Sequence, residues 1–208
     1  MIYVVLPNYL LFNVKSMENQ YVRLWQNTPI FLIIRVSDIM ENSSIEKLNK
    51  KQLLDVFDSF LLESNFAIEN KNYDSDPLNV KINDGARKFD LYFILKNISS
   101  GGWKDNLEIK RIQIGNIKEN LVTTNKKRTH MLCGLMRYES KYILVVWNSY
   151  IYTTHNTNRS CYVHSETIKK CYETGYVFSH EFDQEIWLCD CSKFGLLIRD
   201  YISYNYVE

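Results

Sequence analysis

The chain has 208 residues, of which 46% are hydrophobic, 24% charged and 14% aromatic, enough for one well-cored domain or a core domain with a small satellite. Seven Gly and three Pro exclude collagen-like and linker-rich architectures, and no run approaches the roughly 20 apolar residues of a membrane span. The net charge of +1 is unevenly spread: residues 1–86 carry 8 Lys and Arg against 11 Asp and Glu, residues 87–172 carry 15 against 6, and residues 173–208 carry 2 against 7.

Ile30 to Val36 is an apolar, β-branched run that predicts a buried strand. A helix is predicted from Ile45 to Glu63. Ser43 and Glu46 have capping-box spacing, and Ile45, Leu48, Gln52, Val56 and Phe60 form one stripe that Leu53, Phe57 and Leu61 widen. Such a helix is scaffold, covering a sheet or another helix. Residues 69–85 are polar and turn-rich and read as a loop or a seam. The expected division is therefore a scaffold subregion at 1–70 and a β-rich domain at 86–208.

Beyond the seam the pattern becomes β. Phe89 to Leu95 is a strand, Ser99 to Asp105 a turn, and Leu107 to Ile114 a second strand. A phase change near Lys110 and Arg111 predicts either a bulge or burial on both faces. Lys118 to His130 reads as a basic loop. Met131–Arg137 and Tyr142–Trp147 have hairpin spacing, and Ser160–Val163 is a short strand. Ser165 is placed to cap a helix that ends at Gly175. Gln184 to Asp190 is a strand, and Ser192 precedes a last helix with Phe194, Leu197, Ile198 and Tyr201 inward. The predicted class is α+β: a mostly antiparallel sheet or partial barrel with about three helices.

The opening Met1–Val14 lacks a basic lead and a small-residue cleavage site, so no signal peptide is expected. The five Cys lack scaffold spacing and point to a reducing cytoplasm, with Cys133, Cys161 and Cys171 as small buried apolar residues. Cys189, Cys191 and the scattered His130, His155, His164 and His180 do not match zinc spacing. Neither a P-loop nor a dinucleotide-binding glycine pattern occurs. A basic middle between acidic flanks is the footprint of a polyanion-binding surface, and the expectation is that it folds into a single cationic face.

From Phe89 to Tyr201 the order of motifs resembles bacterial restriction–modification proteins. It runs through Tyr92 to Trp103 with its Asn-Ile-Ser-Ser-Gly-Gly turn, then Glu108-Ile-Lys-Arg-Ile-Gln-Ile114. The hairpin Cys133 to Trp147, Thr154-His155, Arg159 to Val163 and the closing Tyr201-Ile202 follow. The family usually carries Arg directly after the glycine turn, where Trp103 and Lys104 stand here. The resemblance implies the non-catalytic DNA-recognition part of a restriction endonuclease, often fused to a His-Asn-His nuclease module, in host defence. The implied partners are double-stranded DNA, unmodified or carrying a modified base, and a nuclease module or subunit. A second copy of the chain is a further candidate, and binding needs no cofactor.

In that reading Lys104, Lys110, Lys126, Lys127, Arg128 and Arg159 neutralise phosphates. Arg111 and Gln113 suit bidentate pairing with guanine and adenine edges, although Arg111 equally suits a structural pair with Glu108. Trp103 suits stacking or wedging. Trp147 and the Tyr residues either pack the sheet or line a pocket for an extruded base. Two alternatives stand beside it. Asp90, Glu108 and Lys110 have Asp-x17-Glu-x-Lys spacing, which on adjacent strands would hold Mg²⁺ for a small restriction endonuclease. The other alternative is a protein–protein adaptor with a basic surface.

Overall fold

The computed structural model describes residues 47–101, 108–115, 128–151 and 159–205, together with the backbone of two short paired strands, β1 (Tyr3–Val4) and β2 (Phe12–Asn13). The predicted strand Ile30–Val36 lies outside the described residues. Compact units divide at Ser44 and Ile45, so the long helix belongs with the β-rich part of the chain.

Helix α1 spans Lys50–Glu63, starting later than the predicted Ile45. Asn49 is its cap: its side chain accepts from Gln52 N at 3.0 Å, and the Gln52 side chain accepts from Asn49 N at 2.9 Å. This reciprocal pair satisfies two otherwise orphaned donors. Leu48 lies before the helix and is buried, clamped by Asn97, whose side chain accepts from Leu48 N at 3.0 Å and donates to Leu48 O at 2.9 Å. The buried stripe is Leu53, Phe57, Phe60 and Leu61, with Gln52 exposed.

The main sheet has seven strands. Its members are β3 (Ala67–Asn72), β4 (Leu78–Asn83), β5 (Lys88–Asn97), β8 (Arg128–Tyr138), β9 (Lys141–Trp147), β11 (Tyr176–Glu181) and β12 (Gln184–Cys189), in the order β11-β12-β9-β8-β5-β4-β3. All pairs are antiparallel except β5 with β8. The stretch 69–85, expected as a loop, supplies two strands. Its polar residues face solvent while Val80 and Ile82 alternate inward, a period-2 signal too short to stand out among Asn, Asp and Lys.

Alternation gives this sheet two apolar faces. Leu91, Phe93, Met131, Cys133, Leu144, Val146 and Trp187 point to one face, covered by α1 and by α3 (Phe194–Asn205). Phe57 meets Phe93 edge-on at 4.8 Å, and Phe60 meets Phe194 at 5.7 Å. Leu132, Met136, Ile143, Val145, Trp147, Ile186 and Leu188 point to the other face. Helix α2 (Ser165–Thr174) covers it through Ile168 and Cys171. A second sheet, β10 (Arg159–His164), β7 (Ile109–Ile114) and β6 (Ser99–Ser100) in the order β10-β7-β6, shares the same apolar layer. The parallel β5–β8 pair requires a crossover, and β6 and β7 lie on it. The class is α+β, as the residue patterns predict.

The helix caps differ from expectation. α2 is preceded by His164 without a side-chain cap bond, so Ser165 is its first residue and not its cap. Gly175 does end it, at φ 80°. Asp190 caps the turn before α3, its carboxylate accepting from Ser192 N at 3.1 Å. Among the described residues no helix is long and apolar enough to cross a membrane.

Candidate nucleic-acid interface

Strand β7 is the element that the motif analysis singles out, and its two faces have different surroundings. It pairs with β10 in unbroken register, Ile112 opposite Cys161, Arg111 opposite Tyr162 and Gln113 opposite Ser160. The phase change is therefore burial on both faces, not a bulge. Ile112 and Ile114 enter the layer between the sheets, and Ile109 is buried on the opposite side, beneath Gly101. Gly101 N donates to Ile109 O at 2.7 Å, and a Cβ at Gly101 would stand 2.9 Å from that oxygen, so the close approach requires glycine.

On the face turned away from the main sheet, Arg111 and Gln113 alternate with Ser160, Tyr162 and His164 of β10. Gln113 is exposed and Arg111 half-buried. The Arg111 guanidinium makes a long hydrogen bond, Nη1 to Ser160 Oγ at 3.4 Å, and among the described residues its buried Nε has no acceptor. The alternative pairing of Arg111 with Glu108 gives way to this contact because register sets Ser160 and Tyr162 beside it. Tyr162 lies 5.5 Å from the Phe182 ring, and His164 stacks on Phe182 at 4.7 Å with an interplanar angle of 20°.

The other predicted cations are placed differently. Lys110 and Arg159 stand opposite Val163 and Ile114, on the side of the strands away from Arg111 and Gln113, with Lys110 half-buried and Arg159 exposed. Arg128, expected in a loop, opens β8 as the Cα partner of Asp90. Trp103, Lys104, Lys126 and Lys127 lie outside the described residues. Trp147 is fully buried with its indole N–H donating to Tyr162 O at 2.8 Å, so it packs the sheet.

The basic third also pairs with its acidic flanks. Lys88 meets Glu69 at 2.7 Å, Arg87 meets Asp84 at 3.9 Å, and Lys141 meets Asp190 at 3.1 Å. These three cations of the basic third are thus engaged by acids of the two flanks.

Asp90, Glu108 and Lys110 do not share adjacent strands. Asp90 is on β5 of the main sheet, while Lys110 is on β7 of the small sheet and Glu108 precedes it. The Asp90 carboxylate accepts from Asn79 Nδ2 at 2.6 Å and from Tyr92 Oη at 3.2 Å. Glu108 contributes its carbonyl to Ser165 N at 2.6 Å. Among the described residues no group of three or more His, Cys, Asp and Glu is placed to hold a metal ion.

Tyr162, His164 and Phe182 were not legible as site residues. Tyr162 and His164 alternate with Cys161 and Val163, a signal visible once β10 is recognised as a strand. Phe182 and Asp183 join β11 to β12 without Gly or Asn, so no turn signature marks them.

Comparison with protein families matches residues 89–189 to the family described as Methylase-associated X1, a domain found in restriction–modification-related proteins. That span includes β5 to β12 and the whole of the small sheet. Neither the curated proteins nor the solved structures gave a match.

Proposed function

We propose that the chain is the DNA-contacting, specificity-bearing part of a restriction–modification-associated protein, and that the nuclease step belongs to a partner module. The observation that carries this reading is the pair Arg111 and Gln113 on the outward face of β7. A guanidinium with unspent donors and an exposed carboxamide two residues along the same strand are the side chains that read guanine and adenine edges. The match to the Methylase-associated X1 family over 89–189 supports the same context. Because Arg87, Lys88 and Lys141 are neutralised within the fold, specificity rests on base contacts more than on bulk charge.

The test is equilibrium binding of the full chain to labelled duplex, methylated and unmethylated, across salt concentration. Binding that weakens with salt, with Arg111→Ala or Gln113→Ala reducing discrimination between duplexes more than overall affinity, is expected. No cleavage on adding Mg²⁺ is expected from this chain alone. Wild-type binding no tighter than that of a neutral control protein would overturn the reading.

A further inference from the structure

The link between β11 and β12 is a two-residue turn with φ of 51° at Phe182 and 60° at Asp183. Two consecutive positive φ values are the requirement of a type I′ turn, normally met by Asn-Gly. A bulky aromatic residue in the left-handed region is an outlier, and such positions concentrate at functional sites. The ring is 39% exposed, so burial does not account for it. Instead it lies parallel to His164 and beside Tyr162, which is the Cα partner of Arg111. The turn therefore holds an aromatic ring at the border of the face that carries Arg111 and Gln113.

We propose that Phe182, backed by His164, is a stacking platform for an unpaired or extruded nucleobase, with Arg111 and Gln113 reading the edge of the same or an adjoining base. This rests on the DNA-binding reading above. A nucleobase is the fitting occupant because it offers a flat π face to the ring and acceptors to the guanidinium. The charge pattern agrees. Asp183 beside the ring disfavours a phosphate there, the Glu181 carboxylate is already engaged by His164 N and the Thr167 hydroxyl, and the cation lies on the Arg111 side.

The experiment compares two DNAs of one sequence, a fully paired duplex and the same duplex with a single unpaired 2-aminopurine, bound to the full-length chain. The unpaired-base DNA is expected to bind more tightly, with quenched 2-aminopurine fluorescence. Phe182→Ala is expected to weaken that complex about ten-fold and to leave the paired duplex nearly unchanged, with Phe182→Trp restoring both affinity and quenching. Phe182→Leu, which keeps apolar packing and removes the π face, takes the place of the alanine variant if the latter does not fold. A folded variant that binds both DNAs as wild type does, or loses equally on both, overturns the platform and leaves the DNA-binding reading standing. Wild-type chain that binds neither DNA overturns both.

Discussion

The Glu181 carboxylate at the end of β11 accepts the backbone N–H of His164 at 2.9 Å and also the hydroxyl of Thr167. It thereby places an acceptor at the N-terminus of α2, where His164 makes no side-chain cap bond, and adds its charge to that of Glu166 in the first turn. The cap comes from a residue 17 positions away, which is why Ser165 looked like the capping residue in sequence.

Glu181→Ala should cost about 1 kcal/mol, the usual value of a lost N-cap, and lower the melting temperature by a few degrees. Ser165→Ala should change it far less, since Ser165 Oγ has no hydrogen-bond partner among the described residues. Thermal unfolding followed by circular dichroism distinguishes the two. Equal losses would show that Glu181 is not the cap.

Gly134 sits on β8 where the two sheets approach. A Cβ there would stand 2.6 Å from Ile98 Cγ1, 2.7 Å from Ile112 Cγ2 and 2.9 Å from Trp147 Cη2. Gly134→Ala should therefore destabilise by about 1–3 kcal/mol through overpacking. Ile112→Ala combined with it should cost less than the sum of the two single losses, because it removes the Cγ2 methyl that the added Cβ meets. Chemical denaturation of the single and double variants measures both terms, and simple additivity would contradict the proposed contact.

Tyr201 on α3 is buried, and its hydroxyl accepts from Ser149 N at 3.1 Å and donates to His130 O at 3.0 Å. Tyr201→Phe takes the acceptor from the buried Ser149 N–H, while His130 O keeps the Ser149 hydroxyl, and should cost about 1–3 kcal/mol, although the ring and its contact with Trp187 remain. Urea unfolding is the measurement. A loss below 0.5 kcal/mol would mean that water replaces the hydroxyl.

Burial pushes the Cys171 thiol up to about 12, with Asp190 adding to the effect, and burial pushes Cys133 and Cys189 upward too. At neutral pH these thiols are protonated and unreactive, so Ellman's reagent should label at most the half-exposed Cys191 quickly. The linkage has a definite sign. Folded values above the unfolded one mean that stability is fully present below the unfolded thiol value of about 8.5 and is lost as pH rises past it. Stability measured between pH 7 and 10 should fall steadily over the upper half of that range.

Much of the fold is legible locally. Phe89, Leu91, Phe93 and Leu95 alternate over a full strand, so β5 is found within a few residues of its ends. The helix at α1 is legible as well, but its start is not: Asn49 and Gln52 compete with Ser43 and Glu46, and only the closed reciprocal pair decides between them. The strands β3 and β4 are hidden because their outer residues are turn-formers by composition.

For the candidate site, the sequence by itself determined the class of chemistry: Arg111 and Gln113 two apart on one strand must share a face, because side chains alternate with period 2. Only the tertiary structure decided which face, and which neighbours. Register set Tyr162 beside Arg111, and the strand order brought Lys88 to Glu69 across β4, buried Trp147 between the sheets and put Asp90 and Lys110 on different sheets. These are contacts between residues far apart in the chain. They depend on strand order and on the crossover from β5 to its parallel neighbour β8, which no local pattern of residues specifies.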